Sequence, residues 1–268
     1  MTAIALTIAG SDSCGGAGIQ ADLKTFSALG VYGASVITAL TAQNTLGVSG
    51  IHDVPADFIA AQMDAVYSDL AVAATKIGML SLAETIEVVA RGLDRHKARS
   101  IVLDPVMVAA SGDPLLKPEA VETLKRELIP RALVVTPNLH EAAALTSLPL
   151  ARDEAAMAAQ GAAIVSLGAR AVLVKGGHGE GPEAVDLLVE NSGVRRFAAK
   201  RIATKNTHGT GCTLSSAIAA GLAKGMPLAE SVAVAKDYVS AAIAASGQLK
   251  IGKGRGPVHH FHAVWPKA

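Results

Sequence analysis

The sequence predicts a three-layer α/β fold, in one domain spanning residues 1–268, with helices on both faces of a mostly parallel central sheet. Aliphatic runs typical of buried strands alternate with stretches whose apolar residues recur at helical spacing. Aromatic residues make up only 3% of the chain, whereas small and aliphatic residues are abundant, which suits helices packed closely on a sheet. No linker, low-complexity tract or internal repeat divides the sequence.

The first two-thirds of the chain predict most of the sheet and its first helices. A helix over residues 18–29 has apolar side chains at helical spacing and ends at Gly30. A second helix opens at Pro55, and we expect its buried face to contain four apolar residues: Phe58, Ile59, Met63 and Val66. The predicted strands, each an aliphatic run, cover residues 4–9, 34–40, 74–77, 100–103, 133–135 and 171–175.

The last third begins with a predicted β-hairpin. Residues 184–190 and 194–199 are strand-like and flank an Asn-Ser-Gly turn signal. Two alanine-rich helices follow, over residues 212–224 and 228–245. Alternating strands and helices, then a hairpin, then two helices are typical of a three-layer α/β fold.

The composition limits the classes of ligand and the cellular compartment that we expect for this protein. Lysine plus arginine number 24 and aspartate plus glutamate 23, so no basic field is available for a nucleic-acid backbone, and metabolites are the expected ligands. Two cysteines are too few for a disulfide framework, and the opening MTAIALTIAGSD predicts a first strand rather than a signal peptide. No apolar run reaches the length of about 18 residues that a membrane span needs. We therefore expect a cytoplasmic protein without a membrane or nucleic-acid partner.

Residues 209–212, which we call the GTGC loop, form a glycine-rich turn directly before an apolar helix. The backbone N–H groups of Gly209, Thr210 and Gly211 could converge there at the positive end of the helix dipole. Such a turn can stabilise an anionic transition state without a charged side chain. Cys212 would lie in the first helical turn, where the pKa of a thiol tends to fall. The alternative is a glycine turn that only starts a helix beside a buried cysteine.

Residues 15–18, which we call the GGAG loop, follow the first predicted strand. They lack the lysine arrangement of the GxxxxGK[ST] phosphate loop and do not match GxGxxG, so a tight strand-to-helix turn is the favoured interpretation. Asp22 lies one helical turn beyond Gly18 and could face a ligand. A single charge on a helix is, however, more often solvated.

Four polar residues stand where three successive predicted strands end. Asp104 follows IVL, Asn138 and Glu141 follow LVVTP, and Lys175 ends AVLVK. Ligands of open α/β sheets bind at the carboxyl ends of the strands. Asp104 and Glu141 could therefore hold Mg²⁺, directly or through water, and Lys175 could neutralise phosphate charge. Taken singly, each could be solvated or cap a helix, as Asn138 with Glu141 three residues later would do.

Longer motifs connect these residues. Eight segments occur in order across essentially the whole chain: IAGSDSCGGAGIQADLKTFSALGVYG, ITALTAQNT, KIGML, VLDPVM, TPNLHEAAAL, VLVKGGH, NTHGTGCTLSSAIAAGLAKG and GKGRGPVHHFHA. Together they resemble the hydroxymethylpyrimidine and phosphomethylpyrimidine kinases of thiamine biosynthesis. The resemblance implies a ribokinase-like fold, ATP as the phosphate donor and a homodimer. It also implies phosphorylation of 4-amino-5-hydroxymethyl-2-methylpyrimidine, and then of its monophosphate to the diphosphate.

The resemblance further assigns roles to residues within the matching motifs. Asp22 and Gln43 would contact the pyrimidine, and Gln43 suits this task because an amide both donates and accepts hydrogen bonds. Met79 and Val106 would line the apolar faces of the ring. The amides of the GTGC loop would supply an anion hole. The residues around Mg-ATP would be Asp104, Asn138, Glu141, Lys175 and Lys236.

Cys212 has a particular role in this resemblance. Ribokinase-like sugar kinases usually carry aspartate at this place, as a base towards the substrate hydroxyl, whereas the similar thiamine kinases carry cysteine. We therefore expect a thiolate base near neutral pH at Cys212. The SDSCGG segment departs from the family pattern, in which proline and serine often precede the glycines, so Cys14 is not expected to be essential.

Three alternatives stay open at this point. A pyridoxal or pyridoxine kinase would share the fold and accept a hydroxymethyl heteroaromatic ring. A ligand-binding protein could have kept the fold and lost catalysis, although the strand-end residues and the GTGC loop are all present. A metal-binding tail could use His259, His260 and His262, although one short segment rarely completes a closed metal site.

Overall fold

The computed structural model describes residues 2–109, 115–177 and 181–266. The strands are β1 (Ile4–Asp12), β2 (Tyr32–Asn44), β3 (Gly47–Asp53), β4 (Ala74–Ile77), β5 (Ile101–Leu103), β6 (Val134–Val135), β7 (Ala171–Lys175), β8 (Glu183–Glu190) and β9 (Gly193–Lys200). The helices are α1 (Gly18–Ala28), α2 (Ala56–Asp69), α3 (Ala83–Arg95), α4 (Pro118–Glu127), α5 (Leu139–Thr146), α6 (Glu154–Val165), α7 (Thr210–Ala223) and α8 (Leu228–Ala244). Short 3₁₀ turns cover Ile129–Arg131 and Ala245–Gln248.

The nine strands form one sheet in the order β3-β2-β1-β4-β5-β6-β7-β8-β9. The six from β2 to β7 are parallel, β3 pairs antiparallel with β2 at one edge, and the β8–β9 hairpin lies at the other. The predicted hairpin and the mostly parallel sheet are therefore confirmed.

Two apolar cores lie on opposite faces of the sheet, because successive strand residues point to opposite sides. In β5, Ile101 and Leu103 belong to the core covered by α2 to α6, whereas Val102 belongs to the core covered by α1, α7 and α8. Helices on both faces confirm the predicted three-layer arrangement. No helix in these ranges has the length and apolar character needed to cross a membrane.

Two predictions about local structure were wrong. The strand β3 was missed, since its sequence GVSGIHD carries glycines and an aspartate, and most of its residues at the sheet edge are partly or fully exposed. Phe58 was assigned to the buried face of α2 but is 61% exposed, whereas Ile59 and Met63 are fully buried. The neighbour of Ile59 in a helix points about 100° away, so Phe58 cannot share its face.

The parallel strands bring the predicted polar residues to one edge. Asp104 and Asn138 follow β5 and β6, and Lys175 ends β7, so all three stand at the carboxyl edge of the sheet. Helix α7 packs beneath β1, β4 and β5. Its N-terminus therefore reaches the same edge.

Candidate active site

The GTGC loop starts α7, and its first residue lies against the GGAG loop. Gly209 is the helix N-cap with φ of 76°, a left-handed conformation that favours glycine. A Cβ at this position would overlap the carbonyl oxygen of Gly16. Only glycine meets both requirements, so the contact between the two loops depends on it.

The first turn of α7 leaves two N–H groups open. Since the N-cap is glycine, no side chain caps the helix. The N–H of Thr210 donates to the carbonyl of Thr207 at 3.3 Å. Across the described ranges, no hydrogen bond is made by the N–H groups of Gly211 and Cys212. Amides at the positive end of a helix are therefore available to an anion, and of the three amides that the sequence predicts, that of Thr210 already has an acceptor.

A buried ion pair lies directly beside these amides. Nζ of Lys175 is 2.8 Å from Oδ1 of Asp104. A Cβ on Gly211 would lie 3.2 Å from Nζ of Lys175 and 3.7 Å from Oδ2 of Asp104. The hydroxyls of Thr136 and Ser215 also donate to the Asp104 carboxylate, at 3.2 and 3.3 Å. The strand-end residues and the GTGC loop thus meet at one place.

Mutual contact sets the charges of this pair. Burial alone would raise the pKa of Asp104, but Lys175 and Lys76 hold it below its usual value. Burial alone would lower the pKa of Lys175, but Asp104 and Glu141 raise it. Both groups are therefore charged at neutral pH. Lys175 can serve a phosphate only by sharing its charge with Asp104.

Asn138 and Glu141 form a capping box at the start of α5. The Asn138 side chain accepts from the N–H of Glu141 at 2.9 Å, and the Glu141 carboxylate accepts from the N–H of Asn138 at 2.7 Å. Burial raises the pKa of Glu141 to about 7, with Lys175 opposing this shift and Asp104 adding to it. The helix-capping alternative is thus observed, and it leaves a carboxyl group that gains or loses its proton near neutral pH beside the ion pair.

Cys212 is half-buried, and the expected fall in the pKa of its thiol is wrong for this structure. Burial raises the pKa of Cys212 to about 11. Lys76 and a hydrogen bond from the N–H of Gly18 act in the other direction, whereas Asp22 and Asp104 add to the rise. Loss of water around the sulfur therefore outweighs the helix N-terminus, and the thiol keeps its proton at neutral pH.

Asp22 does not face an open surface. Its side chain is fully buried, and it accepts hydrogen bonds from Thr7, Lys76 and Ser216 at 2.7, 2.8 and 2.6 Å. These partners belong to β1, β4 and α7, so the Asp22 carboxylate joins α1 to two central strands and to α7. These three partners are protein groups, and the predicted contact between Asp22 and a pyrimidine stays a prediction. Lys76 was missed because nothing in KIGML distinguishes a buried ion pair from an exposed lysine.

The other predicted pyrimidine contacts lie around the ends of β2, β4 and β5. Gln43 is half-buried, and its Oε1 accepts from the hydroxyl of Thr41 at 3.0 Å. Met79 is 8% exposed and packs against Gly10. Val106 is partly exposed, and its N–H donates to the carbonyl of Asp104. Their contact with a ring stays a prediction.

Lys236 is already paired. Its Nζ lies 2.7 Å from Oδ2 of Asp186, and both side chains are largely buried. The other oxygen of Asp186 accepts from the N–H of Gly176 at 3.0 Å. Lys236 therefore supports the backbone that follows Lys175, and the predicted approach to phosphate would require this pair to open.

Two residues that the sequence analysis did not single out join the glycine loops. Asp12 ends β1, and its carboxylate accepts from the N–H groups of Cys14, Gly16 and Ala17 at 2.9, 3.0 and 2.8 Å. Nε2 of His208, the residue before the GTGC loop, lies 2.8 Å from the same carboxylate. Burial would raise the pKa of Asp12, but the bonds from His208 and the loop amides lower it to about 2. The available signal was its place at the end of a strand.

Asp12, Cys14 and His208 each place one atom that could bind a metal within 4.8 Å of the others. The Asp12 oxygen in this group already accepts from two amides and contacts His208. Burial and the Asp12 charge raise the pKa of the Cys14 thiol. These bonds support a structural role in holding the GGAG loop.

The C-terminal histidines lie inside the fold. His259 and His260 are buried, and Nε2 of His260 is 3.0 Å from the hydroxyl of Thr213 in α7. The hydroxyl of Tyr238 in α8 donates to the carbonyl of His260 at 2.7 Å. These contacts anchor the segment to both helices, so an open metal-binding tail does not describe it.

Solved structures define the class of protein. The chain is similar to a pyridoxal kinase from Bacillus subtilis solved as an ADP complex, with 36% identity, a TM-score of 0.91, and coverage of 98% of this chain and 99% of that one. It is also similar to a phosphomethylpyrimidine kinase from Clostridium difficile, with 47% identity, a TM-score of 0.80, and coverage of 90% and 99%. The fold and the site thus define a ribokinase-like kinase.

Sequence comparison identifies the family within this class. The family model for phosphomethylpyrimidine kinase matches residues 12–259. A hydroxymethylpyrimidine/phosphomethylpyrimidine kinase from Rhizobium meliloti is 65% identical over 99% of both chains, and one from Salmonella typhimurium is 57% identical over 97% of this chain and 98% of its own. The chain belongs to the phosphomethylpyrimidine kinase family.

Proposed function

We propose that this protein transfers the γ-phosphoryl group of ATP to the hydroxyl of 4-amino-5-hydroxymethyl-2-methylpyrimidine, and then to the resulting monophosphate to form the diphosphate used in thiamine biosynthesis. The observation that carries the proposal is the pair of open amides at Gly211 and Cys212 beside the Lys175–Asp104 ion pair. The names of the relatives at 65% and 57% identity support the choice of substrate.

In the first transfer, the hydroxyl oxygen bonds to the γ-phosphorus, the bond from that phosphorus to the β,γ-bridging oxygen breaks, and ADP leaves. The amides of Gly211 and Cys212 would stabilise charge on the equatorial oxygens, and Lys175 would add its cation. Thr210 contributes less than predicted because its N–H already has an acceptor. Positioning and electrostatics supply most of the catalysis in such transfers.

Cys212 is the proposed acceptor of the hydroxyl proton. Its thiol must first lose a proton that burial holds in place, and Lys76 and the N–H of Gly18 favour the thiolate. We therefore expect the base to work with only a small thiolate fraction at neutral pH.

Mg²⁺ is the cation that the donor set fits. Asp104 and Glu141 offer oxygen ligands at one place, and a carboxyl group with a pKa of about 7 has a proton that a cation could replace. When bound, the ion would neutralise phosphate charge. Asn138 would keep Glu141 in place through the capping box, and Lys236 would support the β7 end through Asp186.

On the acceptor side, Gln43 would hydrogen-bond the aminopyrimidine, and Met79 and Val106 would line its faces. Asp22 would act by positioning, since its carboxylate joins Lys76 to α7. This arrangement assigns specificity to the ends of β2, β4 and β5.

The edge of the sheet supports the proposed homodimer. Leu40, Leu46, Ile51 and Phe58 are exposed hydrophobic residues on or near the β2–β3 edge. An exposed apolar edge strand is a template for association. Measured molar mass in solution should correspond to two chains and fall to one chain for Ile51→Lys; a monomeric wild type would exclude the dimer. The single-domain boundary at 1–268 and the cytoplasmic location stay predictions.

Steady-state kinetics on three acceptors tests the function. We expect ADP formation with the pyrimidine alcohol and its monophosphate, and a kcat/KM for pyridoxal at least about tenfold lower, because a site built to hydrogen-bond one ring leaves polar groups unpaired with another. A higher kcat/KM for pyridoxal would favour the alternative kinase activity. No ADP formation with any of the three would exclude catalysis.

A further inference from the structure

A cavity of about 650 Å³ lies between the β2–β3 turn, the segment before α7 and the chain near its C-terminus. Its walls come from residues 43–47, from residues 204, 205, 207 and 208, and from residues 253–255. That volume is within the range of small-molecule sites. None of these residues belongs to the GTGC loop.

The cavity is cationic. Lys205, Lys253 and Arg255 line it, and all three are exposed. Among the residues that the structure describes, its lining includes no aspartate or glutamate. Because basic and acidic residues nearly cancel over the chain, at 24 and 23, this local excess of positive charge does not follow from composition. A concave surface with one sign of charge concentrates ligands of the opposite sign.

Backbone contacts hold the segment that carries Lys253 and Arg255 against Thr45. The N–H of Arg255 donates to the carbonyl of Thr45 at 3.0 Å, and the N–H of Gly254 donates to the Thr45 hydroxyl at 3.1 Å. A Cβ on Gly254 would overlap the Thr45 carbonyl oxygen, so only glycine permits this close approach. The segment that carries Lys253 and Arg255 is therefore docked through its main chain. Truncating either side chain leaves those contacts intact.

Two lining residues connect the cavity to the reaction. Gln43 is the proposed hydrogen-bonding partner of the pyrimidine, and His208 precedes Gly209 and contacts Asp12. The cavity thus adjoins both the acceptor site and the GTGC loop. The first transfer converts a neutral alcohol into a phosphomonoester that carries about −1.5 to −2 charges at neutral pH.

We propose that this cavity recognises the phosphorylated acceptor, with Lys205, Lys253 and Arg255 attracting the phosphomonoester group of the pyrimidine monophosphate. The inference rests on the proposed function and deepens it, because it assigns the second acceptor a recognition surface that the first acceptor does not need. Cations around a cavity raise the rate of association and lower KM for an anionic ligand, and salt weakens the effect. The binding of the neutral alcohol is not strengthened by these cations.

The test compares Lys253→Ala/Arg255→Ala with a matched variant, Lys250→Ala. Lys250 is an exposed lysine three residues away that does not line the cavity. Isothermal titration of the pyrimidine monophosphate without nucleotide gives its Kd, and steady-state kinetics gives kcat and KM for both acceptors and for ATP. Circular dichroism melting checks that each variant folds.

We expect the double variant to raise Kd and KM for the monophosphate by about tenfold, with kcat and both constants for the alcohol and ATP unchanged. Raising the salt concentration should shrink the difference, and Lys250→Ala should match the wild type. Equal losses for alcohol and monophosphate, a loss confined to ATP, or a wild type that does not bind the monophosphate would overturn the inference. Failure of the wild type to phosphorylate the alcohol would instead remove the proposed function.

Discussion

The GGAG and GTGC loops are similar in sequence but differ in what their N–H groups bond. In the GGAG loop, the carboxylate of Asp12 accepts from the amides of Gly16 and Ala17. In the GTGC loop, the amides of Gly211 and Cys212 have no acceptor within the described residues. A glycine turn before a helix is thus an anion site only where no neighbouring side chain uses its amides.

This difference in hydrogen bonding also gives the two loops different roles. The GGAG loop is fixed by Asp12 and forms a wall against which Gly209 packs. The GTGC loop packs against that wall, and within the described residues its N–H groups at Gly211 and Cys212 have no acceptor. Pre-oriented donors of this kind need no reorganisation during the reaction.

The largest effect should come from Gly209→Ala, which would separate the loops. The new Cβ would meet the carbonyl of Gly16 in a left-handed conformation, so both open amides would move, and we expect kcat/KM to fall at least about 1000-fold. Gly225→Ala is the matched control, because Gly225 has φ of 82° with nothing near its would-be Cβ. Steady-state kinetics on both variants measures this. Similar activity of the two would show that loop contact does not matter.

Cys212 tests the chemistry of the open loop. We expect Cys212→Ala to lower kcat about 100-fold, the effect of losing a general base, with little change in KM. Because burial raises the pKa of the thiol to about 11, kcat/KM of the wild type should keep rising with pH beyond 9. Cys212→Asp should recover part of kcat and reach its plateau at lower pH. A pH-independent wild type with an active alanine variant would exclude the base role.

Asp12→Asn tests the closed loop through stability. The pKa of Asp12 is lowered from 3.8 to about 2, so the ionised carboxylate stabilises the fold above pH 4, and this contribution is lost as pH falls towards 2. We expect the free energy of unfolding of the variant at pH 7, measured by urea titration, to be about 2 kcal/mol lower than that of the wild type. The difference in the free energy of unfolding between wild type and variant should narrow below pH 4. The exposed Asp69→Asn is the control, and a gap independent of pH would show that the charge is not responsible.

The smallest effect should come from Glu141→Gln, beside the open loop. The pKa of Glu141 is about 7 in the folded protein, against an ordinary 4.5. Between pH 4.5 and pH 7, the folded protein therefore keeps a proton on Glu141 that the unfolded chain has lost. Wild-type stability should therefore fall as pH rises from 4.5 to 7, whereas the variant should lack this slope and be the more stable protein at pH 8. Added Mg²⁺ should reduce the pH dependence of stability in the wild type but not in the variant. An identical pH dependence in both proteins would contradict the assignment.

The layers and most strands could be predicted from the sequence because aliphatic runs and helical spacing are local patterns. The edge strand β3 could not, since most of its residues are partly or fully exposed and leave no periodic signal. The position of Asp104 and Lys175 at one sheet edge follows from strand order. Their direct ion pair of 2.8 Å does not.

Long-range partners explain what the sequence could not show about the other residues of the site. Asp22 and Lys236 looked available to ligands, but each is neutralised by a residue 54 or 50 positions away in the chain. The pKa of Cys212 was expected to fall because a helix N-terminus is visible in sequence. Desolvation, which decides the outcome, depends on the packed structure.

A crystal structure with a non-hydrolysable ATP analogue and the pyrimidine alcohol would show where the γ-phosphate binds. We expect γ-phosphate oxygens about 2.7–3.2 Å from the amide nitrogens of Gly211 and Cys212, with the Asp12 bonds to the GGAG loop unchanged. A γ-phosphate bound by the amides of Gly16 and Ala17, away from the start of α7, would contradict this expectation.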